Sequence, residues 1–499
     1  MDQQSQKAHI LIFPLPIQGP VNSMLKLAEL ILIASQGQIQ VTFLTTIHTH
    51  TRLNLHAKAA TRFSGYPSFS FVTFPDGLPE DHPRGGDKFM EMLNAVEGVS
   101  QPLLRDMMLN NNSSHKNDDY PITCLISDGL FHFAVDLGKE NGIPVIYFET
   151  MSLSCLWVYL CLPKFIEAGE VPFQENEGME AILTLPGIRG LLRRCDLPDF
   201  CRANNSSSET MIQRIIELEK QYNRASALIF NTFEDLEAPL LSYIRAHHPY
   251  NMYVIGPLHL HLKEKLLELE ATKATPPPST YCSNSIWRED NSCIEWLNRH
   301  PRRSVIYCSF GSQVTLSKEQ LIEFWHGLVN SGFRFLWVKR PRSVIGMEDD
   351  VHNKWHEQIP DKLLKGVMKN GYVVTWAPQE EILNHPSIGG FFTHSGWNST
   401  IESLVAGVPM ICWPHYVDQL VISRYVSHFW KVGLDMKDSC DRVILENMVR
   451  DVMCKRKDEF LQNANALANL AKQSVENRGS SCRSLDMLVD EIMSFRLPV

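Results

Sequence analysis

Two α/β domains, each built on a parallel sheet, are predicted from three observations. The chain has 499 residues and 44% hydrophobic content, more than one core organises well, so two domains are expected. Short apolar runs alternate with stretches of helical length, the pattern of repeated β–α units. That alternation breaks once, after Val254-Ile255-Gly256-Pro257. A charged run at 263–270, the triplet Pro276-Pro277-Pro278 and a Ser/Asn cluster follow. Such a composition suits a surface linker whose charged half can form a helix. The expected boundaries are 1–256, a linker at 257–290, a second domain at 291–475, and a closing helix within 476–499 that packs back on the first domain.

Each element follows in order. Residues 9–13 read as a short buried strand, and 21–35 as a largely buried helix with few polar interruptions. Strands are expected at 41–45, 68–74, 123–127, 145–148 and 227–231, the last behind a helical stretch at 212–224. The second series opens with a strand at 304–310 that ends at Gly311. Ser317 with Gln320 forms a capping box for a helix to about residue 330, and Gly332 stops it. Strands at 333–338, 372–376, 388–392 and 410–413 come next. A helix at 483–495 closes the chain. The architecture is duplicated, although no sequence repeat is detectable.

Composition narrows the function. Charged residues are 21% and the formal net charge is -9. A mildly acidic chain without a basic stripe does not suit nucleic acid or an anionic membrane. No apolar stretch approaches the roughly 20 residues that span a bilayer. The polar start from Met1 to Lys7 lacks the charged and apolar regions of a secretory signal. Twelve cysteines carry no CxxC pair, which fits reduced thiols better than disulfides or a zinc site. A cytoplasmic monomer acting on small molecules, without metal or cofactor, is expected.

The segment from Ile388 to Trp413 carries the chemistry. An apolar strand runs into Thr393-His394-Ser395-Gly396, and a helix starts near Trp397-Asn398-Ser399. Gly407 follows the helix and Pro409 stops it. Small and polar residues at such a turn leave backbone N–H groups at a positive helix end, an anion site suited to a pyrophosphate. Ser399 adds a hydroxyl and His394 a ring N–H. Glu402 lies one turn further in, where its carboxylate can accept from two vicinal hydroxyls such as those of ribose. Trp376 ends the preceding strand and can stack on a flat base. Asp418 and Gln419 follow the next strand at the same sheet edge, where doubly wound folds bind ligands. A carboxylate and an amide suit an alcohol-rich sugar. Taken singly, Trp376 reads as core, His394 as a loop histidine and Glu402 as a solvated helix face. Their joint pattern carries the inference. A dinucleotide-binding reading fails, because no G-x-G-x-x-G follows the first strand and no acidic residue ends 41–45.

Trp376-Ala377-Pro378-Gln379, His394-Ser395-Gly396-Trp397-Asn398-Ser399, Glu402 and Asp418-Gln419 resemble the 44-residue signature box of plant family-1 UDP-glycosyltransferases. The resemblance extends to Ser127-Asp128, Asn231-Thr232-Phe233-Glu234, Gly256-Pro257 and Phe310-Gly311-Ser312, over nearly the whole chain. It implies a GT-B fold, two Rossmann-like domains facing across a cleft, with the donor on the C-terminal domain and the acceptor on the N-terminal one. It implies that Trp376 stacks on uracil, helped by the Ala377 backbone and Gln379, and that Glu402 takes the ribose. His394, Asn398, Ser399 and Ser312 would contact the phosphates. Trp397, Asp418 and Gln419 would contact the sugar, and Thr150 its 6-hydroxyl. The final Gln resembles enzymes that prefer UDP-glucose. An inverting, metal-independent transferase with UDP-glucose as co-substrate is the implied activity.

One position departs from the family. The histidine that serves as general base, oriented by an aspartate, is replaced in Gln18-Gly19-Pro20 by Pro20, while Asp128 matches the aspartate. General-base catalysis is worth about 10²–10⁴ in rate, or roughly 3–5 kcal/mol of barrier. Three routes could compensate: an acceptor that ionises easily, Asp128 acting directly or through a water, or another histidine such as His132 or His415. The second is favoured for alcohols and hemiacetals. The alternative class is a pseudoenzyme that binds the sugar nucleotide for a regulatory or scaffold role. The acceptor is expected against 77–84, 150–157 and 189–200. Phe148, Met151, Leu153 and Trp157 would form an apolar wall for a terpenoid or phenol, and Arg193 and Arg194 could pair with an acceptor carboxylate. The stretch from Asp76 to Pro83 is similar to the branch containing iridoid glucosyltransferases.

Overall fold

A computed structural model describes residues 8–109, 121–173, 178–202, 206–271, 284–345, 347, 358–437 and 439–495. The proline triplet, most of the Ser/Asn cluster and the polar start lie outside them. The chain divides into two compact units. The first comprises Met1–Pro163, Gln213–Trp287 and Ala471–Val499, and the second Lys164–Ile212 and Arg288–Leu470.

The first unit holds strands β1 (Ala8–Phe13), β2 (Ile39–Thr46), β3 (Phe69–Phe74), β4 (Cys124–Asp128), β5 (Val145–Glu149), β6 (Ala227–Phe230) and β7 (Met252–Val254). They form a parallel sheet in the order β3-β2-β1-β4-β5-β6-β7. Strands buried on both faces read as continuous apolar runs, which is why β1, β4, β5 and β6 were visible in the sequence. The chain leaves β1 toward β2 and returns through β4 on the other side, so the β1/β4 junction is the topological switch point. The helix Gln18–Ala34 starts three residues before the expected position and buries Pro20 in its first turn. Pro20 costs nothing there, because the first helical N–H groups lack intrahelical acceptors. Gln18 accepts the Ile286 backbone N–H at 2.8 Å and so fastens the chain as it re-enters after the linker. The expected helix in the linker's charged half runs Leu258–Ala271. The closing helix, Ser480–Ser494, contributes Leu485, Leu488, Val489 and Ile492 to this unit's core.

The second unit holds β8 (Val305–Ser309), β9 (Arg334–Val338), β10 (Gly371–Val374), β11 (Ile388–Thr393), β12 (Met410–Cys412) and β13 (Gly433–Asp435). Their order is β10-β9-β8-β11-β12-β13, the doubly wound arrangement, with its switch point between β8 and β11. The capping box opens the helix Lys318–Ser331: Ser317 Oγ accepts from the Gln320 N–H at 3.2 Å, and the Ser317 N–H returns to Gln320 Oε1 at 2.8 Å. Phe310, Phe324, Phe392 and Trp413 meet mostly edge to face beneath the β8/β11 edge.

The unit boundaries differ from the sequence reading: the linker's helix at 258–271 falls in the first unit, and so do residues 471–475, read as second domain. Residues 164–212, expected in the first domain, pack with the second unit. Their hairpin, Ile182–Leu185 with Ile188–Arg193, leads to Asp196, whose buried carboxylate meets Arg193 at 2.9 Å, Arg424 at 3.5 Å and Lys437. A buried carboxylate needs such partners, and two of the three come from the second unit's own sheet region. Among the described residues no helix is long and apolar enough to cross a membrane.

Candidate functional site

At the switch point of the second unit, β11 is buried along its whole length and ends at Thr393. The chain turns through Ser395, at φ +66°, and the helix Trp397–Val405 begins with Gly396 at the N-cap and no side-chain cap. The expected start at Trp397 coincides with the observed one. Gly396 itself offers no side chain to cap the positive end of this helix at the β8/β11 crevice, a setting that suits an anion. His394 packs against two glycines. A Cβ on Gly311 would lie 2.7 Å from the ring's Cε1 and Nε2, and one on Gly396 2.4 Å from Nε2. Gly311 also sits at φ +68°, where other residues are strained. Burial, helped by the nearby His415, lowers the His394 pKa to about 3. The ring is thus neutral, a directional hydrogen-bonding group rather than a cation. Ser312 stands at the same edge, one residue past Gly311.

Glu402 is buried on the second turn of the helix, not on a solvated face. Gln379, the first residue of the helix Gln379–Leu383, holds it. Its Nε2 donates to Glu402 Oε2 at 2.7 Å and to Ser399 Oγ at 2.9 Å, while its Oε1 accepts from Tyr307 OH at 3.3 Å. The amide is spent on positioning Glu402 and Ser399. Trp376 lies two residues past the end of β10 rather than in the strand, only partly buried. Its carbonyl accepts the Asp290 N–H at 3.0 Å. Ala377 is buried beside it. Asn398 occupies the second helical position, next to Ser399.

The turn after β12 completes the set. Asp418 precedes the helix Gln419–Arg424, and its carboxylate accepts the Trp397 backbone N–H. Burial outweighs that bond and raises its pKa to about 7. Gln419 Oε1 accepts the N–H groups of His415 at 2.9 Å and Tyr416 at 3.4 Å, so the NH₂ is what this amide can offer a ligand. Trp397, Asp418 and Gln419 are therefore brought together, and Gln379, Ser399 and Glu402 form a second interlocked group one helical turn away. His415 packs edge-on against Trp413 at 4.0 Å, and burial lowers its pKa to about 4.

Asp128 and Thr150 belong to the first unit. Asp128 ends β4 at that sheet's switch point, 1% exposed. Its Oδ1 accepts the Leu130 N–H at 3.0 Å. The Leu15 backbone N–H, in the turn after β1, also bonds the carboxylate. Oδ2 is buried without a hydrogen-bond partner among the described residues. Burial raises the Asp128 pKa to about 6, against the pull of those two amides. Thr150 follows β5, partly buried.

Glu149, which the sequence reading missed, is a second buried acid at this edge, 2% exposed. Its strand pairs with that of Asp128, and a Cβ on Gly129 would meet Glu149 Oε1 at 2.2 Å. Burial lifts its pKa to about 8; a bond with Tyr222 opposes the shift, and the Asp128 charge adds to it. The available signal was a carboxylate ending an otherwise apolar strand.

Other candidates separate. His9 bonds Thr42 Oγ1 at 2.9 Å and is structural. His132 is held at a pKa of about 4 by burial, then by Arg214, so it is a neutral imidazole. Trp157 does not line an open wall: it is buried against Tyr243 at 5.7 Å and His248 at 5.0 Å. Arg193 is taken by Asp196 and Glu180, and Arg194 lies over Phe173 at 5.7 Å. Asn231-Thr232 and Gly256-Pro257 interlock structurally: Asn231 Oδ1 accepts the Leu258 N–H at 2.9 Å, and any Cβ on Gly256 would strike Asn231 at 2.6 Å. Thr232 donates to Glu237 at 2.9 Å, and Glu237 accepts the Leu153 and Ser154 N–H groups at the start of the helix Leu153–Glu167. Among the described residues no group of three or more metal-binding side chains occurs.

Comparison with known proteins identifies the family. Residues 284–475 match the family model described as UDP-glucoronosyl and UDP-glucosyl transferase. A 7-deoxyloganetic acid glucosyltransferase of Catharanthus roseus is 50% identical over 487 residues, 97% of each chain. A myricetin 3-O-rhamnoside 1,2-glucosyltransferase of Crocosmia x crocosmiiflora is 36% identical, covering 100% of this chain and 98% of its own. Among solved structures, Phytolacca americana UGT2 complexed with UDP-2fluoro-glucose and pterostilbene superposes with a TM-score of 0.76 at 26% identity, covering 98% of this chain and 100% of that one. The two Rossmann-like units are those of the GT-B class, and the chain belongs to the plant family-1 UDP-glycosyltransferases.

Proposed function

We propose that this enzyme transfers glucose from UDP-glucose to an oxygen of a small apolar plant metabolite of the iridoid or terpenoid class, with inversion, and that it works as a cytoplasmic monomer. The observation that carries the donor assignment is the interlocked group of Gln379, Ser399 and Glu402 beside a helix N-terminus whose N-cap is a glycine. Glu402 presents a fixed carboxylate to the ribose hydroxyls, Trp376 a face to the uracil. Trp397, Asp418 and Gln419 hold the glucose. The helix N-terminus, His394 and Ser312 receive the diphosphate, whose negative charge grows as the bond from its oxygen to glucose C1 breaks. The 50% identity to a 7-deoxyloganetic acid glucosyltransferase supports an iridoid acceptor.

Asp128 is the general base in this reading. Its Oδ2, without a hydrogen-bond partner among the described residues, is the acceptor atom this reading uses in place of the family histidine, and a pKa of about 6 leaves it ionised at neutral pH with useful basicity. Oδ2 takes the proton of the acceptor hydroxyl, directly or through one water, as the hydroxyl oxygen attacks C1 and UDP departs. A carboxylate acceptor would need no such step. The test is a UDP-glucose assay against carboxylic, phenolic and hemiacetal terpenoids. Consumption of one class with UDP release supports the reading. UDP-glucose binding with no acceptor consumed would contradict it and favour the sugar-nucleotide-binding pseudoenzyme, the reading that Pro20 otherwise suggests.

A further inference from the structure

Val417 is the residue before Asp418-Gln419, and it sits at φ +60°. That backbone conformation is a genuine outlier for a β-branched residue. Such strain persists only where neighbours over-determine it. Three consecutive N–H groups in this turn are tied down by side chains. Those of His415 and Tyr416 go to Gln419 Oε1, and that of Val417 goes to Asp199 Oδ1 at 2.8 Å. Asp199 is remote in sequence, in the short helical turn Asp199–Cys201 that follows the hairpin.

The delivery of Asp199 is itself rigid. Three residues earlier, Asp196 is held by Arg193, Arg424 and Lys437. Arg424 also donates from Nε to the Leu191 carbonyl at 2.8 Å. Arg424 is the last residue of the helix that Gln419 begins. The segment from Leu191 to Asp199 therefore grips that helix at both ends, through Asp199 at its start and through Leu191 and Asp196 at its finish.

We infer that Asp199 is a positioning residue for recognition of the donor sugar: its carboxylate locks the strained Val417 turn and thereby aims Asp418 and Gln419. This rests on the reading that those two residues contact the sugar. In that reading uracil and ribose are held around Trp376, Gln379 and Glu402, and the diphosphate by the helix N-terminus, His394 and Ser312. The sugar moiety and the UDP moiety should therefore respond differently to loss of Asp199.

The experiment compares Asp199→Ala, Asp199→Asn, Asp199→Ala/Val417→Gly and Gln419→Ala, measuring kcat/KM for UDP-glucose and the inhibition constant of UDP. A carboxylate-to-amide hydrogen bond supports a change of about tenfold. Asp199→Ala is expected to lower kcat/KM for UDP-glucose by about that factor while UDP inhibition is kept. Asp199→Asn, whose carbonyl oxygen can still accept the Val417 N–H, should restore most of the loss. Val417→Gly should restore part of it in the Ala background, because glycine adopts φ > 0 without strain. Unchanged kcat/KM in Asp199→Ala overturns the proposal. So does an equal loss of UDP inhibition, which would mark a general structural role, or failure of both rescues. Gln419→Ala separates the two layers. If it lowers kcat/KM with UDP inhibition kept while Asp199→Ala does not, the clamp fails alone. If Gln419→Ala has no effect, the sugar assignment fails and the clamp with it.

Discussion

At the scale of single residues, Gln379 shows how one amide organises a binding site. Both of its donor bonds and its acceptor bond are used inside the protein. Replacing it with Ala would leave the Glu402 carboxylate and Ser399 hydroxyl in place but unanchored. An unmet bond to a charged group costs about 1.5–3 kcal/mol. Gln379→Ala is therefore expected to weaken UDP binding by about tenfold or more, read by calorimetry. Unchanged affinity would show that Glu402 does not depend on it. Individual residues were also where the sequence was least explicit. The donor residues could be placed because they cluster on one strand–turn–helix and its neighbours. The engagement of Arg193 by Glu180, and of Trp157 by Tyr243 and His248, depends on what lies opposite in space, which periodicity does not report.

Elements tell a different story. Strands buried on both faces announce themselves as apolar runs, so most of the strands in both sheets lay within a residue or two of their expected ends. β7 and β13, three residues each, were not among the expected strands. The capping box was legible because both partners are local. Ser317→Ala should cost about 1 kcal/mol, lowering Tm by a few degrees in a thermal melt, with UDP-glucose KM unchanged. An unshifted Tm would mean that the helix Lys318–Ser331 is fixed by tertiary packing alone. By contrast, the hairpin Ile182–Arg193 gave no indication that it packs with the second unit. That choice is made by Asp196 meeting Arg424 and Lys437, contacts more than two hundred residues away in sequence.

For the whole molecule, buried titratable groups make stability depend on pH in both directions. The folded pKa values of Asp128, Asp418 and Glu149 are raised to about 6, 7 and 8. Each favours folding fully below its ordinary carboxyl value, and that contribution is lost as pH rises through the folded value. The partly buried histidines His132, His394 and His415 are depressed to about 4, 3 and 4. Their contribution is present above 6.5 and is lost as pH falls toward those values. Tm should therefore pass through a maximum between the two groups and fall on the alkaline side. Glu149→Gln should flatten that alkaline fall, and an unaltered slope from pH 7 to 9 would show that Glu149 is not protonated in the folded enzyme. The central claim concerns Asp128, and its most direct test is the single-turnover rate of glucose transfer to a hydroxyl acceptor by Asp128→Asn, measured beside its affinity for UDP. A general base predicts a rate loss of about 10²–10⁴ with UDP affinity kept and, in the wild-type enzyme, a rate that rises with pH through about 6. An Asn variant that transfers glucose at the wild-type rate would contradict the account.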